Sequence, residues 1–288
     1  MYLKVSQSGQ LRNLGSSQVY LIMNSLLEFE GQIRLSVFII IFTIMALWEI
    51  KAPFRKLRLS RTSRWPHQLG LIALNTLAVR LLFPVAAVGT AQYMQQQGWG
   101  LMNLLGFNPA IAIISGFLLL DLAIYWQHVI AHRLDWFWKL HRTHHADTDY
   151  DLTTGLRFHP LEIILSMLIK MLVIALLGIP ATAVILFEIV LSSSALFNHS
   201  NIKLTKTIEP VLRKVIVTPS MHRIHHSTQQ FEHDTNYGFF LSIWDRLFDS
   251  YTDKATEDEQ TMPIGLNIFR AKENQRLDRI LKMPFTNH

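Results

Sequence analysis

The chain is 288 residues long, half of them hydrophobic and 17% charged, with a net charge of +6 and no cysteine. Soluble domains carry roughly a quarter charged residues, so this composition, with its long apolar runs, points to a chain that lives in a bilayer. Without cysteine there is no disulfide framework, thiolate metal site or cysteine nucleophile.

Residues 1–34 form an N-terminal segment. Its mixed, polar start lacks the basic and apolar regions of a secretory signal, and none is expected. A membrane crossing needs about 20 largely apolar residues. The first candidate is Leu35 to Ile50. Lys51, Arg55, Lys56, Arg58, Arg61 and Arg64 follow with no acid among them. Next to an apolar segment this run reads as a cytoplasmic loop under the positive-inside bias rather than a nucleic-acid patch, and no nucleic-acid partner is expected. The second candidate runs from Leu69 to Met94 with one charge, Arg80, and the third from Ala110 to Ile130. The fourth is Ile163 to Leu177 and the fifth Ala181 to Phe197, joined by Gly178-Ile179-Pro180. The last two are short, and either cross fully or form a hairpin that only enters the membrane. Residues 81–120 contain no charged residue and no histidine, so the loop around Gln95 to Asn108 faces the far side. The histidine-bearing segments then all return to the cytoplasmic side. Phe239, Phe240, Ile243, Trp244, Leu247, Phe248 and Tyr251 recur at helical spacing, which suggests an amphipathic helix packed on the core or lying at the interface. Residues 256–288 are a charged tail without assigned chemistry. The expected fold is all-α, a multi-pass membrane helical bundle over residues 35–255 with a cytosolic, histidine-rich, metal-binding cap.

Eight of the 13 histidines fall in three tight groups. These are His128 with His132, His141 with His144 and His145, and His222 with His225 and His226. Residues at i, i+3 and i+4 share one face of a helix, so each group points one way. Neutral imidazole is the commonest protein ligand of transition metals. Three converging faces hold too many ligands for one tetrahedral zinc and suit two metals with a position left open. Without metal, such packing would leave nitrogens unsatisfied. His199, at the end of the fifth segment on the same side, is a candidate ninth ligand. His159 precedes Pro160, where capping or support of a ligand competes with ligation. His233 is open between the two, while His67 and His288 read as ordinary core or surface groups.

Asp121, Tyr125, His128 and His132 form one helical stripe, and Glu188, Ser192, Ala195 and His199 repeat its offsets. The intramembrane carboxylates either orient ligand histidines or pair with Arg80 or Lys170. Asp147, Asp149 and Asp151 are either exposed loop acids or partners of ligand imidazoles. Arg142 and Arg223 hold equivalent places in the two five-residue motifs.

His128-x3-His132, His141-x2-His144-His145 and His222-x2-His225-His226 resemble the pattern of the fatty acid hydroxylase/sterol desaturase superfamily. The segments Arg157-Phe-His-Pro-Leu-Glu162, Thr218-Pro-Ser-Met-His-Arg-Ile-His-His-Ser227, Asn236-Tyr-Gly-Phe and Trp244-Asp-Arg-Leu-Phe248 strengthen it, over roughly residues 35–255. The segments look like those of the bacterial members called sterol desaturase family proteins, and the resemblance implies a helical membrane fold with a cytosolic cap around a di-iron centre, in the inner membrane if bacterial. It implies hydroxylation, desaturation or ether cleavage of a fatty acyl, sterol or carotenoid lipid with dioxygen. The eight motif histidines carry over as iron ligands, with no catalytic residue beyond the ligands. Some lipid hydroxylases of the group have a further paired His-x3-His before the last cluster. Here His199 stands alone, with Ala195 four residues earlier. No fused haem domain is visible, so electrons are expected from a separate donor protein.

Two other functions are weighed against this one. A zinc hydrolase would use a His-Glu-x-x-His motif, and here residue 129 is Val. A metal transporter would hold its site near the bilayer midplane, whereas these clusters lie at the membrane edge.

Overall fold

The structure, a computed structural model, describes residues 25–83 and 85–286, so His288 and most of the N-terminal segment lie outside the described residues. The described residues are largely helical, with no strand and two isolated β-bridges. Helix α1 is Glu30–Lys51, α2 Arg61–Leu82, α3 Ala86–Gln97, α4 Pro109–Arg133, α5 Asp135–His145, α6 Pro160–Leu177, α7 Ala181–Asn198 and α8 Pro219–His225.

Among the described residues, five helical stretches are long and apolar enough to cross a membrane: Glu30–Lys51, Arg61–Leu104, Pro109–Arg133, Pro160–Leu177 and Ala181–Asn198. The second departs from the sequence expectation of one continuous span. It breaks after Leu82, because the residue before a proline, here Phe83 before Pro84, is driven out of the α region. Helices α6 and α7 have 18 residues each, or about 27 Å at 1.5 Å per residue, close to the hydrocarbon thickness. Gly178, at φ +66°, ends α6 in the left-handed conformation that glycine adopts without strain. Asn108 caps α4 by accepting from the Ala110 amide at 3.0 Å, with Pro109 in the first turn.

Helix α7 is central, packed against α1, α3 and α4. Ala183, Val184, Ile185 and Phe187 on it are fully buried. Lipid tails are as apolar as leucine, so helices here associate by close packing rather than by escape from water. Gly116 permits that approach: a Cβ there would lie 2.8 Å from Ile179 Cγ2. Leu35, Ile39, Ile44, Leu77, Leu81, Ile114, Leu172 and Leu176 stay exposed on the outside of the bundle, as bilayer-facing residues do.

The loop ends define the two levels of the bundle. At the far end, the turn at Gly178 packs on Gly100. At the other end, Glu49 near the close of α1 accepts from the Leu152 and Asn201 amides, both at 3.1 Å. This ties α1 to the segments that follow α5 and α7. Arg64, fully buried at the start of α2, binds Asp147 through Nε at 3.1 Å and Asp151 through Nη1 at 2.6 Å. Asp149 accepts from the Arg58 and Leu59 amides. The three aspartates are therefore neither exposed loop acids nor partners of imidazoles. They clamp the chain just after α5 onto the basic loop. Burial by itself would raise the Asp147 pKa, but the Arg64 and Arg157 guanidiniums outweigh it and hold the carboxyl below its usual range.

One other expectation changes. The aromatic stretch 239–251 forms one short helix, Ile243–Leu247. The Asp245 carboxylate accepts from the Tyr237 and Gly238 amides at 2.7 and 2.8 Å, holding a turn there instead of a longer helix. The charged tail packs down, with Met262, Ile264, Leu266, Ile280 and Met283 buried. Both motif arginines grip it: Arg142 donates to the Met283 and Thr286 carbonyls, and Arg223 to Glu259.

Candidate metal centre

The nine candidate histidines converge. One ring nitrogen each from His128, His132, His141, His145 and His225 lie within 4.8 Å of one another, and so do those of His144, His199, His222 and His226. The groups adjoin, with the His145 and His226 rings 4.5 Å apart between centroids. The sequence motifs do not map onto the groups. His141 and His145 join the first while His144 joins the second, and His225 and His226 separate likewise.

Local chemistry aims the rings. His128 Nδ1 is 2.8 Å from the Tyr237 carbonyl, and His225 Nδ1 is 2.7 Å from the Thr235 carbonyl. A carbonyl only accepts, so the proton belongs on Nδ1 and the Nε2 lone pair is free to bind a metal. His199 is set in the same way by the Ala195 carbonyl at 2.7 Å. Glu162 holds His141 Nδ1 at 2.7 Å, and Asp234 lies 3.3 Å from His132 Nδ1. Asn236 builds the turn that supplies the two carbonyls. It adopts φ +53°, and its amide bonds the Met221 and Thr252 carbonyls and the Thr252 N–H. Gly155 lets the segment after α5 cross the end of α7, since a Cβ there would collide with the Ala195 carbonyl.

The inward nitrogens tell the rest. The Nε2 atoms of His128, His132, His141, His145, His225 and His226 are buried without a hydrogen-bond partner. In the second group, His199 Nε2 lies 3.2 Å from His144 Nε2 and 3.0 Å from His222 Nε2. Each buried polar atom left unpaired costs about 1–3 kcal/mol, so this arrangement suits bound cations and is otherwise strongly unfavourable. Burial, then the neighbouring imidazoles, holds the pKa of His144, His145, His222 and His226 well below the usual value. His225 is lowered in the same way, and His199 is brought to about 4, mainly by burial. They are thus neutral at pH 7, the form that ligates. The donor set, all imidazole, with the outer nitrogens of His128, His132, His141, His199 and His225 held by acceptors, fits two transition-metal ions.

The other candidates divide. His159 caps α6, accepting from the Leu161 amide at 3.2 Å, and its other nitrogen faces the Leu281 carbonyl. It lies outside both groups, as does the partly exposed His67. His233 stacks on Trp138 and forms a smaller cluster with His132 and Asp234. Of the intramembrane acids, Glu188 and Asp121 do not touch the histidines. Glu188 pairs with Lys170 at 2.6 Å and Arg34 at 2.9 Å, and Asp121 accepts from Trp244 Nε1 and the Leu241 amide. Sequence reasoning assigned no role to Glu162 or Asn236. Their only signal was membership in the motifs Arg157-Phe-His-Pro-Leu-Glu162 and Asn236-Tyr-Gly.

A crevice of about 40 Å³ reaches the first group between α4 and α6. Ile124, Gln127, Ala131, Phe158, Glu162 and Phe239 line it beside His128, His141 and His144.

The family model for fatty acid hydroxylase matches residues 113–250. Alkylglycerol monooxygenase from Homo sapiens is 33% identical over 138 residues, 48% of this chain and 30% of the relative. Ornithine lipid hydroxylase OlsE from Rhizobium tropici is 29% identical over 143 residues, 49% of this chain and 42% of the relative. Very-long-chain aldehyde decarbonylase GL1-6 from Oryza sativa subsp. japonica is 23% identical over 210 residues, 70% of this chain and 30% of the relative. The matches thus span less than half the length of these relatives. No solved structure matches the chain.

Proposed function

Because the chain belongs to the fatty acid hydroxylase/sterol desaturase superfamily, we propose that it is a membrane-bound oxygenase that holds two iron ions and hydroxylates a lipid with dioxygen. The observation that carries this reading is the pair of buried imidazole groups with unpartnered nitrogens directed inward, next to a crevice in the spanning region. His128, His132, His141, His145 and His225 would hold one ion, and His144, His199, His222 and His226 the other. Iron bound there supplies the activation of dioxygen.

The chain's own residues do the rest. Tyr237, Thr235, Glu162 and Asp234 hold the outer nitrogens of His128, His225, His141 and His132 and keep those four rings in the ligating tautomer. Burial of all nine rings keeps bulk water away from the oxidising centre. Ile124, Ala131 and Phe239 offer an apolar path from the bilayer to the first group. Overall, one C–H bond becomes C–OH, and the second oxygen atom leaves as water after taking two electrons and two protons. The electrons come from a separate donor protein. The basic loop 51–64, under the positive-inside bias, supports a cytoplasmic side for the centre.

Purified protein loaded with ferrous iron is expected to consume oxygen with a reductant and a lipid extract, and label from heavy dioxygen to appear in one lipid class. No oxygen uptake with iron, together with lipid turnover in zinc alone, overturns the proposal.

A further inference from the structure

The crevice beside the first histidine group is not uniformly apolar. Gln127, on α4 immediately before His128, donates its amide N–H to Ser166 Oγ on α6 at 3.1 Å. Its amide oxygen is buried and has no partner, and neither has the second carboxyl oxygen of Glu162. Both side chains line the crevice. Glu162 and Ser166 are four residues apart, on one face of α6. Two acceptor oxygens therefore lie unsatisfied in a narrow space between two spanning helices, where water is scarce and such atoms are costly. The space, about 40 Å³, has room for about one small polar group.

The depth of the site agrees. His128 lies five residues before the end of α4 at Arg133, or about 7.5 Å of helix rise. A carbon presented to the first group is therefore close to the membrane edge, within reach of a lipid headgroup rather than a mid-chain methylene.

We propose that Gln127, seated on Ser166, together with the free oxygen of Glu162, recognises a hydroxyl or amide N–H that the lipid carries next to the carbon being oxidised. The substrate is then a polar-headed lipid oxidised beside its headgroup, and a plain hydrocarbon chain is a poor substrate. This rests on the oxygenase reading above. Gln127 is a specificity-determining residue and not a metal ligand. A site built to bond a polar hydrogen rejects the analogue that lacks it, because its acceptors are left unpaired.

The test compares three probes on the iron-loaded full chain in lipid nanodiscs: a monoalkylglycerol, an N-acyl amino acid, and an alkyl propyl ether with the hydroxyls replaced by hydrogen. The wild type is expected to favour one of the first two over the ether by at least about tenfold in kcat/KM. Gln127→Leu is expected to lose that ratio, mainly through KM, with iron content unchanged. Ser166→Ala, which removes only the seat of the amide, is expected to lose part of it and decides the matter if the Leu variant fails to load iron. Equal turnover of all three probes by the wild type, or an unchanged ratio in the iron-loaded Leu variant, means that the crevice holds only water and overturns the inference. Iron binding without oxidation of any lipid overturns the oxygenase reading as well.

Discussion

Glu162→Ala isolates how much of the metal affinity comes from outside the ligands. The carboxyl oxygen lies 2.7 Å from His141 Nδ1, and both side chains are nearly buried, at 4% and 3% exposure. Removing it leaves an imidazole N–H in a dry site with no acceptor, at a cost of about 1–3 kcal/mol. It also frees the ring to rotate or change tautomer, so that Nε2 no longer faces the other four nitrogens of its group. Losses of this kind weaken metal binding by about 10–100-fold, equivalent to about 1.4–2.7 kcal/mol. Glu162→Gln keeps an acceptor oxygen in the same place and is expected to lose less. The assay is iron titration of chelator-stripped protein in detergent, with metal counted per chain. The first group should weaken and the second should keep its ion. Wild-type affinity in the Ala variant, or equal loss in the Ala and Gln variants, refutes the claim that this hydrogen bond orients His141.

Four further outcomes are expected. His199→Ala should lower bound metal from two ions per chain to about one, measured by elemental analysis, because its Nε2 lies between those of His144 and His222. His159→Ala should leave metal content unchanged and cost about 1 kcal/mol, the size of a lost helix cap, in denaturant titration. Arg64→Met leaves Asp147 and Asp151 buried without their cation and should destabilise by about 3–5 kcal/mol, read as a large fall in the thermal midpoint. In metal-stripped protein, His144, His145, His222, His225 and His226 titrate well below the value near 6.5 expected for an unfolded chain. The unfolded state then binds more protons as pH falls below about 6.5, so stability should drop there, by about 1.4 kcal/mol per pH unit for each imidazole. Denaturation at pH 7 and pH 5.5 measures this, and equal stability at both contradicts it.

The sequence by itself indicated the apolar spans, the shared end of the histidine segments and nine candidate histidines for one centre. Each of these is local: span length follows from hydropathy over one helix, and i, i+3, i+4 spacing places side chains on one face. His199 was legible for the same reason, as the residue that closes α7 at the level of the other clusters. Only the tertiary structure decided how the nine divide. Adjacent motif residues such as His144 and His145 leave α5 about 100° apart, so each turns to a different group, and the rings they meet lie on α4, α7 and α8. The fates of the acids were equally non-local. Asp147 and Asp151 find Arg64 more than 80 residues away in sequence, and Glu188 finds Lys170 and Arg34. The charged tail looked featureless because its anchors, Arg142, Arg157 and Arg223, lie in other segments. Periodicity reports which face a residue shares, whereas the partner across that face is set by how the helices pack.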